Sequence, residues 1–460
     1  MSSPCLNQTA HEAWKADVLS LYQRLLPAAF LNLCQREAEL RQNNRVYTLA
    51  VVMWLMICQW LQGHSPLDQA VLELLRGLPA TFWPKPCKRL QDPPRETGPV
   101  SSNTAAYNKA RHRLPLSVVE PCCDHIFEQL TAEADGALPQ LCRRAFFFDG
   151  TSVELPPSQA LRQSYPPGSN QHGASHWPLL RMLAAHDLNT GLAMRPQWGP
   201  ANGQYAVSEQ QLLEAAIDRL PVLSLVVGDA NFGVFSVAYT ASQRGHAVLL
   251  RLTAARALHL AGGPLQHGID QRITWKPSRE DRRSHPDLPK DACVHGRLLV
   301  FLVQPSNQAK PFLLAVFTTW EATPQQILDV YGQRWNIETD LRTLKGTLHL
   351  EQLRCTTPDM VAKELDLAMA AYNLVRAIIY LAAQKAGLPP RAFSFTRVGR
   401  IVQAFAPLLA AAQSPEQAQA IVDRIMYYAG QAKLPKRTRK RASYPREVWS
   451  KPQSFPRRKE

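Results

Sequence analysis

Four residues in the second half of the chain have the types and spacing of a face that handles phosphate. Residues 331–345 read YGQRWNIETDLRTLK, with no Gly or Pro between Gly332 and Gly346 and a helix start upstream at Thr323-Pro324. On one continuous helix, at about 100° per residue, Tyr331, Arg334, Glu338 and Lys345 fall inside an arc of about 60°. Asp340 then points to the opposite side, and Trp335 lies outside the arc, where it can pack against the protein. A carboxylate beside two cations and a phenol suits a metal ion held next to a phosphate. The same composition also serves as a solvated face with ordinary ion pairs, so the rest of the chain must decide.

Two further carboxylates stand where apolar strands end. Asp149 follows AFFF at 145–148, and Asp229 follows VLSLVV at 222–227 and Gly228. In α/β sheets ligands gather where strand ends open into loops. Each position also has a local explanation: Asp-Gly is a turn signal, and Asp229, ahead of Ala-Asn-Phe-Gly, can cap a helix. Together with Glu338 they make a more specific set. Three such carboxylates can hold two divalent cations about 3.5–4 Å apart, one activating a water or a 3′-hydroxyl and one stabilising the leaving oxygen. Oxygen-only ligands suit Mg²⁺ or Mn²⁺.

The elements that must position these groups follow in order. Residues 9–77 carry helical periodicity, and a Pro-rich basic stretch at 81–99 must be mostly loop. A helix through TAAYNKARHRL, capped by Ser102 or Asn103, carries Lys109 and Arg113 four residues apart, as either a helix lying in a DNA groove or an ordinary solvated basic helix would. Residues 116–140 give another helix and a loop. From 142 to 252 the pattern is strand, strand, strand, helix, strand, helix, strand, which predicts an α/β fold, a mixed sheet with flanking helices. Residues 253–318 give strands at RITWKP, GRLLVFLVQ and PFLLAVFTT and read as a β insertion splitting the α/β domain. The apolar stretch 359–387 should pack as a helix against the sheet, and residues 391–430 are helical. The tail from Lys433 is dense in Lys, Arg and Pro with Tyr444, Trp449 and Phe455 interleaved, and could track a phosphate backbone. The divisions are 1–140, an α-helical N-terminal DNA-binding domain; 141–252 and 319–400, the two parts of the catalytic domain; 253–318, the β insertion; 401–432, C-terminal helices; and 433–460, the basic tail. His172 and His176 in HGASH have the spacing of helical metal ligands, but Gly173 and Pro166-Pro167-Gly168 make the segment a loop.

The 460 residues carry a formal charge of +15, so a polyanionic partner is expected. A glycosidase reading of the paired carboxylates leaves that charge unexplained. The nine cysteines contain no C-x2-C pair and read as reduced thiols of a cytoplasmic protein. The N-terminus has no signal-peptide pattern, and the apolar run 46–61 is short for a membrane span, so no membrane is expected.

The spacing Y-x2-R-x3-E-x6-K, filled by Tyr331, Arg334, Glu338 and Lys345, resembles the signature of IS4-type DDE transposases of bacterial insertion sequences. DGT at 149–151, a strand pair ending in WGP, GDANFG at 228–233 and YGQRWNIE follow in the family's order, and SSNTAAYNKARHRLP resembles the segment before its catalytic domain. The likeness covers roughly residues 100–385. It implies an RNase H-like catalytic domain with Asp149, Asp229 and Glu338 as the triad binding two Mg²⁺ or Mn²⁺ ions. Tyr331, Arg334 and Lys345 would hold phosphates near the transposon end. An aromatic of the insertion, with Trp275 as the candidate, would stack on a displaced base; the commoner role of such a strand tryptophan is to pack within the insertion. The implied reaction is nicking at the terminal repeats followed by attack of the 3′-hydroxyls on target DNA, by a homodimer on double-stranded DNA in the bacterial cytoplasm, at the nucleoid. Two alternatives are a catalytically silent or domesticated DNA-binding relative, and an RNase H-like two-metal nuclease without strand transfer.

Overall fold

The computed structural model describes residues 18–40, 46–78, 82, 87, 90, 100–134, 144–170, 173–304, 310–351, 353–412 and 414–435. His172, most of the Pro-rich stretch and the basic tail from residue 436 lie outside the described residues.

The middle of the chain forms one eight-stranded sheet. Its strands are β1 (Ala145–Glu154), β2 (Leu179–Asp187), β3 (Gln197–Pro200), β4 (Leu225–Gly228), β5 (Ala247–Arg251), β6 (Asp270–Trp275), β7 (Val294–Val303) and β8 (Phe312–Thr318), in the order β3-β2-β1-β4-β5-β8-β7-β6. β1, β2 and β3 are antiparallel to one another, while β1, β4 and β5 run parallel. This is the mixed, RNase H-like arrangement that the resemblance implies. The short parallel strands are apolar along their length because both faces are covered: every residue of β4, and the first four of β5, is buried. β4 begins three residues later than its apolar run predicts, since Val222 and Leu223 are exposed and Leu223 takes a positive φ of 57°. The strands of the predicted insertion continue the same sheet. β8 pairs antiparallel with β5 on one side and with β7 on the other, and β6 forms the edge.

Among the described residues six helices precede the sheet: α1 (Val18–Leu25), α2 (Ala28–Glu37), α3 (Leu49–Leu61), α4 (Leu67–Leu75), α5 (Ala105–Arg113) and α6 (Leu116–Glu133). The connections between strands carry α7 (Gln159–Ser164), α8 (Glu209–Ile217), α9 (Phe235–Gln243), α10 (Ala254–Ala261) and α11 (Arg279–Ser284). The chain continues through α12 (Pro324–Gly332), α13 (Trp335–Gly346), α14 (Pro358–Ala386), α15 (Phe395–Ala410) and α16 (Pro415–Gln431). The central helix is α14. At 29 residues it is long and apolar enough to cross a membrane, yet 94% of its apolar window is buried inside the protein, against α3 and α6 among others. A helix apolar all round belongs in a core, and each Leu or Ile it buries contributes about 1.5–3 kcal/mol.

The stretch 331–345 is two helices, not one. α12 ends at Gly332, a poor helix former, and α13 starts at Trp335. Between them Arg334 N donates to Tyr331 O at 3.0 Å and Ile337 N to Arg334 O at 3.1 Å, a tighter i to i+3 winding. Tyr331 therefore reaches the site from a different helix than Glu338 and Lys345. Trp335, expected to pack, is 66% exposed, with the Arg334 guanidinium 5.1 Å from its ring centre. Asp340 lies on the opposite face, as expected, and is fully buried.

Candidate active site

β1 carries four buried apolar residues and then emerges at Asp149, which is half-buried. β1 and β4 run in parallel register, with Ala145 beside Leu225 and Phe147 beside Val227. Two residues further on, that register sets Asp149 level with Asp229, on chains spaced about 4.8 Å apart in a sheet. The turn after β4 then fixes Asp229: Asn231 N donates to its Oδ1 at 2.8 Å and Phe232 N to its carbonyl at 3.1 Å. Phe232 is buried, and a Cβ on Gly233 would lie 2.0 Å from the carbonyl oxygen of Arg251, so only glycine lets this turn close against β5. Neither local role expected of these positions holds: Asp149 and Gly150 lie inside β1, paired with Ala184 and Leu183 of β2, and the helix after Asp229 has Val234 at its N-cap, while Asp229 holds the turn through Asn231 N.

α13 lies against β1 and β2. It brings Glu338, Arg342 and Lys345 to a cleft of about 450 Å³ shared with Asp149, Thr151 and Glu351. Glu351 also lines a neighbouring cavity of about 570 Å³ with His64, His349, Arg354 and the half-exposed Trp177. Arg334 donates to Glu338 at 3.0 Å, one helical turn away. Burial, with Asp229 and Glu209 adding to it, pushes the Asp149 carboxyl up to about 6 against the pull of the Gly150 N–H and Arg334. Burial likewise pushes Tyr331 up to about 12, with Arg334 and Arg251 opposing, so it stays a phenol able to donate a hydrogen bond. Its buried hydroxyl makes no well-formed hydrogen bond, and Arg251, at the end of β5, stands beside it.

Behind this face, Asp340 anchors α13. Arg376 of α14 and Arg391 each donate to it at 2.5 Å. Arg391 also donates to the Asp187 carbonyl at the end of β2 at 2.8 Å. One buried carboxylate thus ties the helix bearing Glu338 to the core helix and the sheet.

Two DNA-contact expectations fare differently. Lys109 and Arg113 are both exposed or half-exposed on α5, whose other side is fixed by buried Arg111 paired with Glu364 and by Tyr107 donating to Gln59 at 2.8 Å. Trp275 is corrected: it is 4% exposed, packed edge-on between Phe235 and Phe317, and offers no face to a base. A single tryptophan at the end of a strand buries or exposes its ring according to neighbours contributed from elsewhere in the chain, here α9 and β8.

Sequence reasoning missed Glu209 and Arg251. An acid in the first turn of a helix is ordinarily explained by the helix dipole alone. The Glu209 carboxylate instead lies over Gly150, where an added Cβ would meet its Oε1 at 2.1 Å. The available signal was its position, at the start of the helix between the two Asp-bearing strands.

The donor set is oxygen only, carboxylates from β1, the turn after β4 and α13, so the residue types fit Mg²⁺ or Mn²⁺. Among the described residues no three or more His, Cys, Asp or Glu side chains are arranged to hold a metal ion as they stand. Glu338 is instead paired with Arg334.

The transposase DDE domain family matches residues 140–374, just over half of the chain, a span that contains Asp149, Asp229 and the residues from Tyr331 to Lys345. The chain therefore belongs to the DDE transposases, DNA-transposing enzymes that generally use divalent metal ions. It is 24% identical over 423 residues, 90% of this chain and 88% of the relative, to the transposase InsG of insertion sequence element IS4 from Escherichia coli strain K12. That likeness puts it with the IS4 type of the family.

Proposed function

We propose that the protein binds the terminal repeats of its own insertion sequence, nicks the DNA there and joins the freed 3′-hydroxyls to target DNA. The observation that supports it is Asp149 standing level with Asp229 across β1 and β4 while sharing one cleft with Glu338 and Lys345 of α13. Asp149, Asp229 and Glu338 would hold two Mg²⁺ or Mn²⁺ ions, which when bound lower the pKa of the attacking water or hydroxyl and neutralise charge on the leaving oxygen. Arg334 and Lys345 grip non-bridging phosphate oxygens with charge-assisted hydrogen bonds, and Tyr331 adds a neutral donor. When a phosphate takes Arg334, Glu338 is released toward the aspartates, so the carboxylate set closes only on substrate. Lys109 and Arg113 face the DNA backbone outside the cleft. Two copies work together on paired ends, in the bacterial cytoplasm at the nucleoid.

The test is incubation of the full-length protein with a plasmid carrying the element's ends and Mg²⁺ or Mn²⁺, beside Glu338→Gln. The wild type should cut the ends and join them to new DNA, while Glu338→Gln binds the ends and does neither. End binding by the wild type without any cut product would leave a DNA-binding protein and sink the catalytic reading. Cutting without joining would leave a nuclease.

A further inference from the structure

The proposed metal site has a carboxylate that the triad does not include. Glu209 opens α8, which follows β3 in the chain and precedes β4. Its Oε2 accepts from Asn231 Nδ2 at 2.6 Å, and the backbone N–H of the same Asn231 donates to Asp229 Oδ1 at 2.8 Å. Gln210 Nε2 donates to the Asn231 carbonyl at 2.8 Å and to its Oδ1 at 2.7 Å, so both ends of the asparagine are held by the start of α8. On the other side, Oε1 fills the space over Gly150 that any side chain there would occupy. Glu209 thus lies against the residue after Asp149 and, through Asn231, fixes Asp229.

We propose that Glu209 is a positioning residue of the metal site, orienting Asp229 through Asn231 and placing a fourth negative charge beside the aspartate pair to strengthen divalent-cation binding. A helix needs no carboxylate in this spot for its own sake. The Ser208 cap already closes a full capping box with Gln211, so Glu209 is left to turn its charge toward the strand ends. The glycine of Asp-Gly-Thr at 149–151 lies inside β1 and makes no turn; it leaves room for this carboxylate.

This inference rests on the proposed metal site, and its test keeps the two apart. Free Mn²⁺ is followed by electron paramagnetic resonance as the full-length protein is titrated, with Asp149→Asn as the control for the site itself. Glu209→Gln, which keeps the hydrogen-bonding shape and removes the charge, should weaken Mn²⁺ binding about tenfold or more, the usual cost of losing an outer partner of a metal ligand. Gly150→Ala, which displaces the carboxylate without removing it, should weaken binding in the same direction. The thermal midpoint of metal-free Glu209→Gln should equal or exceed that of the wild type, since a repulsive charge is gone; a purely structural role would lower it and leave Mn²⁺ affinity alone. Wild-type affinity in both variants would overturn the role of Glu209 while leaving the site standing. A wild type that binds Mn²⁺ no better than Asp149→Asn would remove the site and this inference with it.

Discussion

Arg334 and Glu338 sit one helical turn apart and are joined by a 3.0 Å ion pair at the edge of the cleft that also holds Asp149. The pair is half-exposed, with side chains 19% and 32% accessible. Its own contribution is therefore small, about 0.2–1 kcal/mol. Its consequence for binding is larger under the proposed function, in which the same carboxylate would hold a metal and the same guanidinium a phosphate. Arg334→Ala should then have opposite effects on the two ligands. Mn²⁺ binding without DNA should tighten by up to about fivefold, because the competing cation is gone. Cleavage of the element's ends should fall about tenfold or more, as a charge-assisted phosphate contact is worth about 1.5–3 kcal/mol. A variant that loses Mn²⁺ affinity along with cleavage would mean that Arg334 supports the carboxylate and does not compete for it.

On the far side of the same helix, Asp340 has the buried Arg376 and the half-buried Arg391 on its two oxygens and His186 Nδ1 3.7 Å away. Their charges hold its carboxyl below the ordinary range in spite of full burial. Removing that charge leaves Arg376 and Arg391 paired with nothing of opposite sign at that point. Asp340→Asn should cost about 3–5 kcal/mol in urea unfolding. Neutralising Glu321, which meets Arg272 in an exposed surface pair, should cost well under about 1 kcal/mol. Equal losses in the two variants would show that the buried cluster is no better coupled to the fold than a surface pair.

The same cluster sets an acid limit. His186 is fully buried, and burial, with Arg391 and Arg376 adding to it, pushes its imidazole down to about 4, against the pull of Asp340 and the Gly191 carbonyl. The unfolded chain takes up this proton near pH 6.5, whereas the folded chain resists until about pH 4. Between those values the unfolded state binds more protons, so stability is fully present above about pH 6.5 and falls as the pH drops toward 4, by about 3 kcal/mol from this group. In His186→Asn that part of the slope should vanish. Unfolding midpoints measured at pH 7, 5.5 and 4.5 should therefore drop less steeply in the variant, and parallel curves would remove His186 from the acid response.

Much of the frame was legible because local chemistry and tertiary structure agree. The apolar runs at β1, β4 and β5 are buried on both faces, and Ser208 and Thr323 close the capping boxes that their sequences announce. Asp149, Asp229 and Glu338 could be nominated because each follows a feature with short-range signals. What failed depended on partners distant in sequence. Trp335 is exposed where it was free to pack, and Trp275 packs where it was a candidate to stack on a base, since whether a ring is covered is decided by residues such as Phe317 that the local pattern does not contain. The pairing of β8 with β5 joins strands separated by two others in the chain. The break at residues 332–334 was hidden because Gly332 weakens a helix without forbidding one. Glu209 was hidden for the opposite reason: a glutamate at a helix start is so ordinary that its position carried no alarm.

The basic tail gives the last prediction, and the fold decides where to cut. Residues up to Leu434 belong to the folded body: Lys433 bridges to Phe393, and Leu434 N donates to Ala392 O at 2.7 Å. A truncation at Lys433 would unpick those interactions and confuse folding with binding, so the chain should end at Pro435. Residues 436–460 hold ten Lys or Arg against two Glu, enough charge to reach several phosphates. Each phosphate that the shortened protein no longer neutralises should reduce the slope of log affinity against log salt by about 0.9. It should therefore bind terminal-repeat duplex more weakly at low salt, with a visibly flatter salt dependence and an unchanged thermal midpoint. If the slope is unchanged while affinity falls, the tail acts through its interleaved Tyr444, Trp449 and Phe455, not through its charge.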